Sequence, residues 1–171
     1  MNTRRNTPVA LAIVVLMGGL ARPGGSAAVA GAATPPAPGD RREITTPPDR
    51  AAIEKVVADY VGLYARPTLD RWKTLFHTAL TVVYPDDDGT IRARTLEQFF
   101  TAQKDYFETG RRISERLENV RIDAGHRIAR VGADFIFVDE GVESRGKLGL
   151  HLAEGKEGWK VVGIIFSYDA P

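Results

Sequence analysis

The sequence predicts an α+β domain, a cone in which three N-terminal helices pack inside a strongly bent, mainly antiparallel sheet. Two observations carry this prediction. Apolar residues recur at helical spacing from Ile53 to Phe107, and from Ile113 onward the period changes to two. Within that second region the phase slips near Glu118-Asn119: Ile113 and Leu117 share one parity, Val120 and Ile122 the other. A slip of this kind predicts a β-bulge that bends the strand.

The elements follow in order. Thr46 before Pro47 and Pro48, with Asp49 three residues on, reads as an N-cap with proline in the first turn. Ile53, Val56, Val57, Tyr60, Leu63 and Tyr64 form the apolar stripe of helix one, which Pro67 ends. Thr68 caps a second helix whose Leu69, Trp72, Leu75 and Phe76 share a face. The run Thr81-Val82-Val83-Tyr84 predicts a short strand, Asp88-Gly89 a hairpin turn, and Thr90 to Ala93 the return. Thr95 and Gln98 make a capping box for a third helix with Leu96, Phe99, Phe100 and Phe107 inward, and Gly110 stops it.

Four long strands follow. On the second, Ala129, Val131, Ala133, Phe135, Phe137 and Asp139 face one way and Ile128, Ile136 and Val138 the other. Leu148, Leu150 and Leu152 alternate on the third, and Trp159 to Tyr168 is apolar on both parities. A strand greasy on both faces needs cover on both. The helices supply one cover; a second copy of the chain, docked on the outer sheet face as a homodimer, is expected to supply the other.

Composition excludes several functions. The 23 Lys and Arg balance 22 Asp and Glu, so no basic footprint for nucleic acid exists. With no Cys there are no disulfides, thiolate metal sites or cysteine nucleophiles. No aromatic residue precedes Tyr60. The front end has the layout of a secretory signal: Arg4-Arg5, an apolar run from Val9 to Leu20, then small residues fitting a small-x-small cleavage site. The run is too short to span a bilayer about 30 Å thick, so no stable membrane anchor is expected after cleavage. Asn6-Thr7-Pro8 after the arginine pair lacks the apolar pair of twin-arginine signals, which favours the general secretory route. Residues 1–33 therefore read as a signal peptide, 34–48 as a proline-rich linker and 49–171 as the domain, in an exported protein, periplasmic or secreted. Removing residues 1–33 takes away Arg4, Arg5 and Arg22, leaving 20 basic against 22 acidic residues.

The chain resembles the nuclear transport factor 2-like superfamily, which includes SnoaL-like polyketide cyclases and ketosteroid isomerases. The features that carry the likeness are Tyr60 in helix one, Leu75-Phe76-His77 closing helix two, Thr81-Val82 with Pro85 in the first strand, and Gly158-Trp159-Lys160-Val161-Val162 opening the last. The resemblance implies Tyr60 as a hydrogen-bond donor to a developing enolate. It also implies a carboxylate base just before the first-strand proline, where this chain has Tyr84, and it puts His151 closest to a second donor.

Three functions remain. One is an exported binding domain for a small apolar or aromatic molecule, with Tyr60, Tyr64, Trp72, Phe76, Tyr84, Phe99, Phe135, Phe137 and His151 as the lining. Another is a lyase, isomerase or cyclase acting by proton transfer, with Asp139 or His77 as base and Tyr60 as donor. The third is a structural or interaction domain whose interior is filled by its own side chains. Asp139 would gain basicity from an apolar surround, or simply begin the solvated turn to Gly141. His77 reads either as a pocket base or as a helix C-terminal histidine. His151 faces opposite to Leu150 and Leu152. Scattered His77, His126 and His151 give no metal motif, and Asp86-Asp87-Asp88-Gly89 lacks the alternating ligands of a calcium loop and reads as a solvated hairpin tip. No nucleotide-binding loop appears, and no cofactor is expected.

Overall fold

In the computed structural model, residues 49–169 are described, all within a compact unit running from Thr46 to Pro171. The expected signal peptide, linker and Thr46 cap lie outside the described residues. Helix α1 spans Arg50–Gly62, and its cap is Asp49, whose carboxylate accepts from the Ala52 amide at 3.0 Å. An acid in this position satisfies an orphan N–H and complements the positive helix end. The helix stops at Gly62, before the expected Pro67, and a 3-10 turn over Arg66–Thr68 carries the proline. Helix α2, Leu69–Lys73, is only five residues long. Thr68 leads into it without capping it; its hydroxyl donates instead to the carbonyls of Leu63 and Ala65.

Strand β1 covers Phe76–Pro85, longer than expected, and takes in Phe76 and His77. Their sequence spacing places these two residues at the end of helix two; they enter the sheet instead, for a physical reason. Val161 N–H donates to the Leu75 carbonyl at 2.9 Å, and the Phe76–Val161 pairing draws the chain into the sheet right after Thr74. Strand β2 is Ile91–Thr95. The hairpin between them turns at Gly89, with φ +80°, and Asp88 accepts from the Thr90 amide. Helix α3, Leu96–Glu108, begins with both bonds of the Thr95/Gln98 capping box.

Strands β3 (Ile113–Ala124), β4 (Ile128–Asp139), β5 (Val142–Gly155) and β6 (Gly158–Tyr168) complete a six-stranded sheet in the order β2-β1-β6-β5-β4-β3. All pairings are antiparallel except β1 with β6. The β3–β4 register shifts between Glu118 and Arg121, and Asn119 takes a φ of 52° there. This is the bulge that the phase slip predicts. A second shift lies between His151 and Leu152 on the β5–β6 ladder.

The inner face of the sheet is apolar. Ala129, Val131, Ala133, Phe135 and Phe137 are buried in one row of β4, and Leu148, Leu150 and Leu152 in the next strand. Trp72, 1% exposed, lies among Tyr60, Tyr64, Phe76 and Phe99 at centroid distances of 4.6–5.8 Å. Over β3, β4 and β5 the outer face is mixed, apolar and charged. Ile128 is exposed there, but Ile136 is buried between Arg116 and Arg145 in register. Both arginines pair with Glu143, at 2.9 and 3.3 Å, and Lys147 pairs with Asp134 at 2.6 Å. The arginine stems cover the apolar side chain while their charged heads stay in water.

Gly146 sets the spacing of the inner face. It stands in register between Phe135 and Tyr168, whose rings meet edge-on at 5.1 Å. A Cβ on Gly146 would lie 2.5 Å from the Phe135 ring and 2.2 Å from the Ser167 carbonyl. Gly146→Ala is therefore expected to cost roughly 1–3 kcal/mol, the usual range for overpacking. Gly132→Ala, where nothing stands within 4 Å, is the control and should leave stability nearly unchanged. Denaturant melts of both variants check this; equal stabilities would show that the Phe135–Tyr168 contact tolerates a side chain beneath it.

Candidate functional site

The helices do not cover the inner face evenly. Inner residues of β4 and β5 are buried, whereas Ile113, Glu115 and Leu117 on β3 are half-buried. Cover is therefore incomplete along edge strand β3, and this partly open stretch beside α1 is the candidate recess; Glu115 lies on it, opposite Phe137 in register. Sequence parity already puts Glu115 on the same face as Ile113 and Leu117. It was missed because a charged residue in an alternating strand is ordinarily assigned to the solvent side.

Glu115 has no ion pair or hydrogen bond among the described residues. Water can touch part of the side chain, yet protein surrounds the carboxyl closely enough to strip its hydration. That desolvation alone pushes its pKa up to about 7 from an ordinary 4.5. Burial, and then the charge of Glu115, hold the Tyr60 and Tyr64 hydroxyls well above their ordinary range. Tyr168 straddles the rim, 41% exposed; its hydroxyl is raised first by desolvation and next by Glu115. Tyr106 completes the group. Its ring lies 6.3 Å from Phe137, its hydroxyl is buried without a hydrogen-bond partner, and desolvation followed by the Asp139 carboxylate pushes its pKa up to about 12. The Tyr64 hydroxyl donates to the Gln103 side chain. At neutral pH the site thus holds protonated tyrosines around a carboxyl poised near its midpoint.

Of the residues expected in a site, Tyr60 and Tyr64 lie close enough to Glu115 for its charge to act on them, Phe137 stands opposite it in register, and Phe135 contacts Tyr168. Trp72, Phe76 and Phe99 form the packed cluster behind it. Tyr84 stacks on Phe166 at 5.2 Å, farther along the sheet, with Arg94 over its ring. His77 is exposed on β1, where its Nδ1 accepts from the Ala79 amide, so it is neither a pocket base nor a helix-terminal residue. His151 is exposed on the outer face beside Gly163, because Leu150 and Leu152 take the core side. Asp139 occupies the expected row, but its apolar surround is replaced by Arg111, which donates to both carboxylate oxygens at 2.7 and 2.5 Å. At the acidic hairpin tip, Asp86 pairs with Arg92 at 3.1 Å and Asp88 is spent on its own loop.

The geometry is that of a helix-lined, curved-sheet cone, and comparison with known proteins agrees. The family model for the SnoaL-like domain matches residues 53–171, and the chain belongs to that family. Among solved structures it is similar to a proposed dehydratase from the NTF2-like family of Streptomyces avermitilis, with a TM-score of 0.61 and 12% identity over 71% of this chain and 96% of the other. It is also similar to a proposed scytalone dehydratase from Novosphingobium aromaticivorans, with a TM-score of 0.59 and 17% identity over 70% and 83%. A protein of unknown function from Shewanella baltica gives a TM-score of 0.55 and 17% identity over 71% and 94%. At such identities these likenesses show the fold. No curated protein matches the chain.

The raised pKa has a consequence for stability. The unfolded chain releases the Glu115 proton around 4.5, the folded chain around 7. Between these values the folded state binds more protons, so stability falls as pH rises through the window and the loss is complete above it. Glu115→Gln removes the charge. Its melting temperature should exceed that of the wild type at about pH 8, by the equivalent of ~1–3 kcal/mol, and the advantage should vanish near pH 4. A difference independent of pH would contradict a desolvated carboxyl.

Proposed function

We propose that this SnoaL-like domain binds a small molecule with an apolar or aromatic body in the recess between α1 and β3. The observation that carries the reading is the half-open inner face of β3, where apolar and tyrosine side chains surround one unpaired carboxyl. A residue buried only for packing would not keep a charge-bearing group without a partner, since that arrangement costs stability. Open apolar surface with a few convergent polar groups is what small-molecule sites present. We take the protein to be exported and dimeric. The arginine pair and apolar run at the front of the chain support export. Ile165, 53% exposed beside Val83 on the outer face, offers an apolar patch for a second copy.

Proton-transfer catalysis in the same recess is the second reading. It is favoured by Glu115, with its pKa of about 7, facing protonated tyrosines. In that reading Glu115 takes the place assigned by sequence to Asp139 or His77, and Tyr60 keeps its role as donor.

Binding is tested with N-phenyl-1-naphthylamine, an uncharged apolar dye that fluoresces when removed from water. The domain should enhance its emission saturably, and Leu117→Trp, which fills the opening, should weaken binding by about tenfold with little change in melting temperature, as loss of about 1.4 kcal/mol would require. Absence of saturable enhancement in the wild type would sink the reading. Native mass spectrometry of residues 34–171 reports retained small molecules and subunit count in the same experiment.

A further inference from the structure

The charge of the ligand can be read from the groups around Glu115. Helix α1 and the residues after it bring Tyr60 and Tyr64, α3 brings Gln103 and Tyr106, β4 brings Phe137 and β6 brings Tyr168. None of these carries a positive charge. The cation at this end of the site, Arg111, acts on Tyr106 but is already held by both oxygens of Asp139, so the pair is neutral as a unit. No Lys or Arg bonds to Glu115 among the described residues. Several other acids of the sheet have cations: Asp123 has Arg130, Asp134 has Lys147, and Glu143 has Arg116, while Glu154 at the end of β5 has no ion pair among the described residues. What distinguishes Glu115 is its place on the inner face, opposite Phe137.

A neutral apolar ligand would have no use for such a carboxyl and would deepen its desolvation. An anion would be repelled. A ligand bringing its own positive charge would supply the counter-ion, and aromatic faces attract cations, more strongly where water is excluded. Resting on the small-molecule reading above, we propose that the recess takes an organic cation: a molecule with an apolar body and an ammonium-type group set against Glu115 and the rings of the surrounding tyrosines and Phe137. Such a cation favours the ionised carboxylate, so binding below neutral pH is coupled to release of a proton from Glu115.

The test uses benzyltrimethylammonium, whose charge does not change with pH, and neopentylbenzene, its uncharged isostere, each added to the full-length mature domain and followed by protein NMR. At about pH 8 the cation is expected to bind at least tenfold more tightly than the isostere, and to weaken on the order of tenfold by about pH 5.5 as Glu115 takes up its proton. Glu115→Gln should cut the preference at least several-fold and abolish the pH dependence, while Glu115→Asp, which retains the charge, should keep most of the preference. Circular dichroism confirms that each variant is folded. Equal binding of cation and isostere, or a preference undiminished in Glu115→Gln, overturns the proposal. If N-phenyl-1-naphthylamine binds and the cation does not, the assignment of charge falls and the small-molecule reading stands. If neither binds, both fall.

Discussion

The indole of Trp72 is the contact on which the rest of the domain depends. Its N–H donates to the Tyr60 carbonyl at 2.7 Å, one of the last carbonyls of α1 and therefore without a helical partner of its own. A side chain from the next helix thus closes the end of the first. The same ring touches aromatic residues from α1, β1 and α3, so a single buried group ties the helical layer to the sheet. The hydrogen bond fixes where α1 ends, and that ending fixes where Tyr60 and Tyr64 stand relative to β3. Without it, the tyrosines of the recess would have no defined distance from Glu115.

The inner and outer faces of the sheet handle charge in opposite ways. Outside, acids and bases alternate across neighbouring strands and pair in water, each pair contributing little by itself. Their value lies in covering Ile136 and in keeping that half of the face solvated. Inside, Glu115 faces aromatic rings, and Asp139 at the row's end is neutralised by Arg111. One strand therefore carries two kinds of acid: Glu118, paired with Arg116 and Arg145 on the wet side, and Glu115, unpaired on the dry side. Alternation in β3 separates them by turning successive side chains to opposite faces.

Local signals were legible in the sequence and long-range ones were not. The Thr95/Gln98 capping box, the Asp88-Gly89 turn and the bulge near Glu118-Asn119 are set by residues within a few positions of one another, and each stands where the residues indicate. The end of α2 did not follow from its own sequence, because Phe76 pairs with Val161, far along the chain. Asp139 was placed in the correct row, but nothing near it announces Arg111, which arrives through the β3–β4 pairing. Tyr106 and Tyr168 lacked a signal apart from parity and helical spacing, and Glu115 was hidden by the ordinary rule that charges face water. Of the candidate site, the tyrosines of α1 and Phe137 were legible; the group that gives them a purpose was not.

The single parallel pairing, β1 with β6, sets the order in which the molecule can assemble. Strands β3, β4 and β5 form a meander that can zip from turn to turn. Strands β1 and β2 form their own hairpin, and β6 alone joins the two pieces. The first strand must therefore wait for the last of the six before the sheet becomes continuous. Contacts this distant in sequence are slow to form, because the intervening chain must surrender its freedom before any bond rewards it. During synthesis the helices and first hairpin emerge with their apolar faces uncovered. A chain stopped short of β6 would leave the β1–β2 hairpin unattached to the β3–β5 meander, so the last strand is the one that turns two pieces into one sheet.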